Sequence, residues 1–173
     1  LVEAPIGVAQ GVGAVAGVNQ WGVPFADIPA WIINTTGQGG RADMDGMDSA
    51  FFCPCLHAIG PDNEETEINW PVLTIYQNHV QDSGGPGKYR GGVGGQTGHV
   101  VYGAPWVVRA RLYNTGRVPY GQGLFGGYPA NNLPWLVISQ TNLLEELKSG
   151  RDIPLSLQDL VRERSVPGSY LLN

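Results

Sequence analysis

Half of the fourteen residues from Asp82 to Gly95 are glycine. The run reads Asp-Ser-Gly-Gly-Pro-Gly-Lys-Tyr-Arg-Gly-Gly-Val-Gly-Gly. Glycine costs about 1 kcal/mol per helical position relative to alanine. In a strand it brings no side chain to pack. The run is therefore neither helix nor central strand. It reads as an organised loop whose backbone comes close to other backbone or to a ligand. Lys88 and Arg90 could meet an anion there. The loop is not a P-loop, because Tyr89 rather than Ser or Thr follows Lys88 and the Gly-x₄-Gly-Lys order is absent.

Glycine is not confined to that loop. The chain has 26 Gly and 13 Pro in 173 residues, about twice ordinary usage. With 42% hydrophobic residues it is too apolar for a disordered chain. It has no Gly-X-Y period and no long apolar run. Residues 121 to 131, Gly-Gln-Gly-Leu-Phe-Gly-Gly-Tyr-Pro-Ala-Asn, form a second Gly-rich loop. The small residues between Ile6 and Asn19 predict a buried, closely packed helix. Trp21, Phe25 and Trp31 follow in a loop broken by Pro24 and Pro29.

Four strands are expected from β-branched and aromatic content: 71–81, 97–102, 106–113 and 135–139. Residues 34–50 read as one polar loop, and 61–67 as an acidic turn. Two short helices close the chain. Asn142-Leu-Leu-Glu145 and Ser156-Leu-Gln-Asp159 have capping-box spacing, with Gly150 and then Pro167-Gly168 as the ends. The fold class is α+β: a β-rich, Gly-loop-rich body with a buried small-residue helix near the N-terminus and two short C-terminal helices. Residues 1–173 form a single unit, 1–140 the body and 141–173 a helical extension. Both ends read as interior sequence of a longer or processed polypeptide.

Net charge is −5, and the arginines are scattered. That excludes a phosphate-backbone binder, which needs a basic patch. No membrane contact is expected. Cys53-Pro54-Cys55 has no second pair to complete a zinc site. Two reduced thiols imply an intracellular, cytoplasmic location.

Several motifs carry possible chemistry. Gly11-Val-Gly-Ala-Val-Ala-Gly17 misplaces its third glycine for a dinucleotide fingerprint, and close packing explains it. Asp43-Met-Asp-Gly-Met-Asp48 puts three carboxylates on one loop. They could contact a substrate or a hard cation, or simply bond backbone in turns. His57, His79 and His99 fit no local ligand spacing. His79, at a strand end before the Gly-dense loop, is the best placed. Candidate catalytic residues are His79, Asp45 and Asp48. Candidate substrate-binding residues are Trp21, Lys88 and Arg90. No metal ligands are assigned.

The run DSGGPGKYRGG, Asp82 to Gly92, resembles the signature of the hydantoinase B (oxoprolinase-like) family, D-S-G-G-x-G-x-[YF]-R-G-G. Gly123-Leu-Phe-Gly-Gly-Tyr128 is similar to the family's G-L-F-G-G segment. Asn19-Gln-Trp-Gly22, Gly39-Gly-Arg-Ala-Asp-Met-Asp-Gly46 and the two C-terminal helices followed by Ser165-Val-Pro-Gly168 resemble the large subunits of its ketone carboxylases, of acetone or acetophenone type. The chain resembles only the C-terminal portion of such a subunit.

The resemblance implies part of a catalytic subunit in an ATP-dependent carboxylase, a ligase. Bicarbonate-derived CO₂ joins an activated ketone to give a β-keto acid. It implies ATP and a divalent metal in the parent complex, neither bound by this chain. The implied partners are a hydantoinase A-like subunit, other carboxylase subunits, a ketone and bicarbonate. The isolated chain is expected to be inactive. Two alternatives stay open: a subunit of an ATP-dependent cyclic-amide hydrolase (hydantoinase, oxoprolinase or lactamase), and a non-catalytic scaffold.

Overall fold

The computed structural model describes residues 13–27, 37–49, 51–52, 55–56, 62–111, 121–131, 136–153, 155–156, 158–160 and 169–172. Its longest hairpin joins β5 (Val72–His79) to β6 (Gly95–Val101), antiparallel, with a bulge between Thr74 and Tyr76. The Gly-dense loop is the connection between these two strands. Tyr76 is buried, and its ring lies where a side chain on Gly98 would stand. A larger residue at Gly98 would displace that ring from the core. Burial and the negative charge of Asp159 push the Tyr76 hydroxyl up to about 12.

A second, three-stranded sheet has the order β2-β1-β7, with β1 (Gly13–Val18) central, β2 (Pro24–Asp27) and β7 (Val107–Arg111) at its sides. The helix expected over Ile6 to Asn19 is corrected here: Gly13–Val18 is a strand, and residues 6–12 lie outside the described residues. The physical reason is period two. Val15 and Gly17 are buried, while Ala14, Ala16 and Val18 are half-buried. Gly17 lies so close to the Trp106 carbonyl oxygen that an added Cβ would sit 2.8 Å from it. The loop expected at Pro24 is likewise a strand, entered at a proline, which the first strand position tolerates.

The turn between β1 and β2 explains Asn19-Gln-Trp-Gly22. The Asn19 side-chain oxygen accepts from the N–H groups of Trp21 and Val23, at 3.0 and 2.8 Å, and Gly22 has φ +78°. Val15 and Trp70 form one small core with Phe25, Val72 and Val107.

The acidic segment at 61–67 is a helix rather than a turn: α1, Asn63–Asn69. The Asp62 side chain caps it by accepting from Glu64 N–H at 3.2 Å, and Glu64 and Glu65 in the first turn suit the positive end of the helix dipole. Glu67 then accepts from Thr74 N–H at 2.8 Å, tying α1 to β5.

At the other end, β8 (Leu136–Ser139) pairs antiparallel with β9 (Ser169–Leu172), so the segment after residue 140 ends in a strand that returns to the body. Between them α2 (Leu143–Lys148) ends at Gly150, φ +70°, as expected. Its start differs from the capping box. Asn142 makes no side-chain cap bond. Thr141 Oγ1 accepts from Leu143 N–H at 3.1 Å instead. The later box does form: Ser156 Oγ accepts from Asp159 N–H at 3.1 Å as a helical turn begins at Gln158. Pro167-Gly168 lies outside the described residues. Leu143 and Leu160 meet Tyr76 in a second core that also takes in Val100, Leu136 and Ile138. A short hairpin, β3 (Phe51–Phe52) with β4 (Cys55–Leu56), completes the strands described. Small sheets and few helices make the chain α+β. Among the described residues no helix is long and apolar enough to cross a membrane.

Candidate functional site

Three loops meet at the end of the β5–β6 hairpin. The Gly-dense loop closes its own neck with Val80 N–H donating to Gly94 O at 2.8 Å, and Asp82 turns it with φ +55°. Ser83 Oγ donates to Val80 O at 2.8 Å and accepts from Gly94 N–H at 2.9 Å. The polar loop 37–49 is stitched on by backbone bonds. Gly46 N–H donates to Arg90 O, Gly92 N–H to Gln38 O and Ser49 N–H to Val93 O, each at 2.8 Å. The loop 121–131 joins from the other side, with Tyr128 N–H donating to Pro86 O at 2.9 Å and Asn131 N–H to Ser83 O at 3.1 Å.

This packing explains the glycines. A Cβ on Gly92 would collide with the Met47 carbonyl, and one on Gly85 would stand 2.5 Å from the Tyr128 carbonyl oxygen. Backbone lies on backbone, with no room for side chains between.

One charged group clasps two of the loops. Arg90 forks onto Asp48, Nη1 to Oδ1 at 2.8 Å and Nη2 to Oδ2 at 3.2 Å. Asp48 Oδ1 also accepts from Val93 N–H at 2.9 Å. Asp45 Oδ1 accepts from Arg90 N–H at 2.9 Å, and its Oδ2 lies 3.9 Å from Arg90 Nε. The Arg90 hydrogen bond, the Val93 N–H and the charges of Arg90 and His79 lower the Asp48 carboxyl to about 2. The same carboxylate raises the Arg90 guanidinium above its ordinary value. Asp48 is thus a fixed anion at ordinary pH and a weak proton acceptor.

The candidates sort accordingly. Asp45, Asp48 and Arg90 touch one another, and exposed His79, at the end of β5, is near enough for its charge to act on Asp48. Lys88 is exposed, its ammonium 5.1 Å from the centre of the Tyr89 ring. Trp21 is exposed on the β1–β2 turn, whose Gln20 donates from Nε2 to Glu67 O at 3.4 Å, away from these loops. Trp31, Cys53 and His57 lie outside the described residues.

Two further residues stand out in the structure: Gln38, which the sequence did not mark, and His99, which it marked only as one of three histidines without ligand spacing. Gln38 is 6% exposed at the junction of the loops, and its Oε1 is buried with no hydrogen-bond donor. The two glycines that flank it in Gly37-Gln-Gly39 were the available signal. His99 is half-buried on β6, opposite Thr74, and burial together with the charge of Arg109 lowers it to about 4. It is a neutral imidazole at ordinary pH.

A family model for hydantoinase B/oxoprolinase matches residues 8–168. The delta subunit of acetophenone carboxylase from Aromatoleum aromaticum is 40% identical over 157 residues, covering 90% of this chain and 23% of that subunit. The alpha subunit of acetone carboxylase from Xanthobacter autotrophicus is 33% identical over 120 residues, covering 69% of this chain and 15% of that subunit. A nucleotide-free structure of acetone carboxylase, solved for the mechanism of ATP-dependent acetone carboxylation, superposes with a TM-score of 0.82 at 26% identity. That match covers 98% of this chain and 23% of the other. The chain therefore spans about a quarter, or less, of the relatives it matches.

Proposed function

The chain belongs to the hydantoinase B/oxoprolinase family, and from that premise we propose that it is part of the catalytic subunit of an ATP-dependent ketone carboxylase. The observation that carries this is the 40% identity to an acetophenone carboxylase subunit across 90% of the chain. The product is a β-keto acid formed from bicarbonate-derived CO₂ and an acetone- or acetophenone-type ketone. A hydantoinase A-like subunit and other carboxylase subunits supply the rest of a cytoplasmic complex.

Within this role the three loops form a rigid wall of the substrate path. Asp48, Asp45 and Arg90 hold that wall together. His79, exposed at the end of β5 beside them, is the residue this reading gives to proton transfer. Lys88 and Trp21 stand exposed, Lys88 able to meet an anion and Trp21 an apolar surface.

In this reading the chain holds no metal or nucleotide of its own. Among the described residues no three His, Cys, Asp or Glu side chains converge on a metal position. Arg90, one of the two cations of the Gly-dense loop, is already held by Asp48. ATP and a divalent metal belong to other parts of the complex in this reading.

The family name itself favours a second reading, opening of a cyclic amide with ATP. ATP hydrolysis by the assembly containing this chain separates the two. Stimulation by a ketone plus bicarbonate supports carboxylation. Stimulation by a hydantoin or 5-oxoproline, with none by the ketone, overturns it.

A further inference from the structure

Leu124 to Gly127 form a tight turn, closed by Gly127 N–H donating to Leu124 O at 2.9 Å. Both central residues have positive φ, Phe125 at +52° and Gly126 at +89°. That conformation suits Gly, Asn or Asp, and a bulky aromatic residue is an outlier in it. Phe125 is 96% exposed, so among the described residues it gains nothing in return. Tyr128 beside it is 70% exposed. The base of the turn is nonetheless braced: Tyr128 N–H is bonded to Pro86 O, and Ala130 N–H to Gly121 O at 3.0 Å. A strained, exposed ring stands on a fixed base. Unexplained backbone strain of this kind points towards function.

The turn's own stretch of chain is uncharged: between Arg117 and Glu145 there is no Asp, Glu, Lys, Arg or His. The neighbouring signature loop, bonded to it through Pro86, brings exposed Lys88 and Arg90 to the same end. An aromatic centre flanked by charged side chains is the composition of an interface core with a polar rim. The solved acetone carboxylase chain holds this fold within a polypeptide about four times as large, since the match covers 98% of one and 23% of the other. We infer that Phe125 is the anchor of a protein–protein contact, its ring seated in an apolar pocket on the part of the hydantoinase B fold that this chain does not span. The inference rests on shared architecture and does not depend on the reaction being carboxylation.

The experiment compares Phe125→Asn and Phe125→Leu in the whole assembly that contains this chain. Asn suits the left-handed turn, so in a solvent-exposed turn Phe125→Asn relieves strain and raises the melting temperature by about 2–4 °C. An anchored ring predicts the opposite sign: Phe125→Asn lowers the melting temperature by at least that much, and Phe125→Leu keeps most of it. A rise, or no change, for Phe125→Asn overturns the inference. So does a concentration-dependent dimer of the 173-residue chain that Phe125→Asn abolishes, because the occupant is then a second copy. Ketone-stimulated ATP hydrolysis is read separately, so failure of the carboxylase reading leaves this test intact.

Discussion

Asp48 grips Arg90 with both carboxylate oxygens, at 2.8 and 3.2 Å, across 42 residues of chain. The same Asp48 holds Val93 N–H, so one side chain ties loop 37–49 to both the guanidinium and the backbone of the signature loop. The pair itself is exposed, and exposed pairs contribute little through charge alone. The backbone bond makes the difference. Asp48→Ala, which removes the acceptor for Val93 N–H, therefore lowers the melting temperature by about 2–4 °C, the effect of losing one charge-assisted hydrogen bond. Arg90→Lys loses the fork but keeps Asp48 on Val93, and costs less. Thermal melts of the two variants check the order.

Acid acts on the same residue. The folded Asp48 carboxyl is depressed from 3.8 to about 2, so the stability it contributes is present above pH 4. It is lost as the pH falls through about 2. Stability measured from pH 5 to pH 2 falls less steeply in Asp48→Asn than in the parent chain.

His99 produces a second acid limb at higher pH. Its folded value, about 4, lies below the ordinary 6.5, so the unfolded chain binds the proton more readily. Stability is full above 6.5 and falls as the pH drops towards 4. Between pH 6.5 and 5 the loss is on the order of 1–2 kcal/mol. Denaturant melts of His99→Leu, which cannot take up the proton, show that segment of the curve flattened.

Two glycines separate crowding from backbone conformation. Gly92→Ala drives a methyl group into the Met47 carbonyl, backbone against backbone. It costs about 1–3 kcal/mol or more, because neither loop can move aside. Gly126→Ala meets nothing within 4 Å and carries only the penalty of φ +89°, about 1 kcal/mol. Urea titration of both variants ranks them, and Gly92→Ala falls first.

The loops were legible because glycine density has one meaning for backbone: close approach or unusual angles. β5 and β8 were legible because Val, Ile, Leu and Tyr cluster in runs of strand length. β1 was not, since Gly13–Val18 is small-residue sequence that packs as well in a helix. Its partner β7 lies some 90 residues away, beyond any local signal. Helix α1 was hidden by its acidic composition, and the capping role of Asp62 became visible only with the chain in place. Asp45, Asp48 and Arg90 were all singled out separately. Their pairing was not, because a turn between distant loops brings them together. Phe125 was visible only as part of the Gly-Leu-Phe-Gly-Gly segment: its positive φ is imposed by the turn and not by its residue type.

Carbon-13 bicarbonate tests the carboxylase assignment most directly. The assembly containing this chain is incubated with ATP, labelled bicarbonate and acetone or acetophenone, and the products are weighed by mass spectrometry. A ketone carboxylase subunit predicts a β-keto acid one labelled carbon heavier than expected from unlabelled bicarbonate, formed only when ATP is present. Unlabelled ketone, with a hydantoin or 5-oxoproline opened under the same conditions, contradicts it.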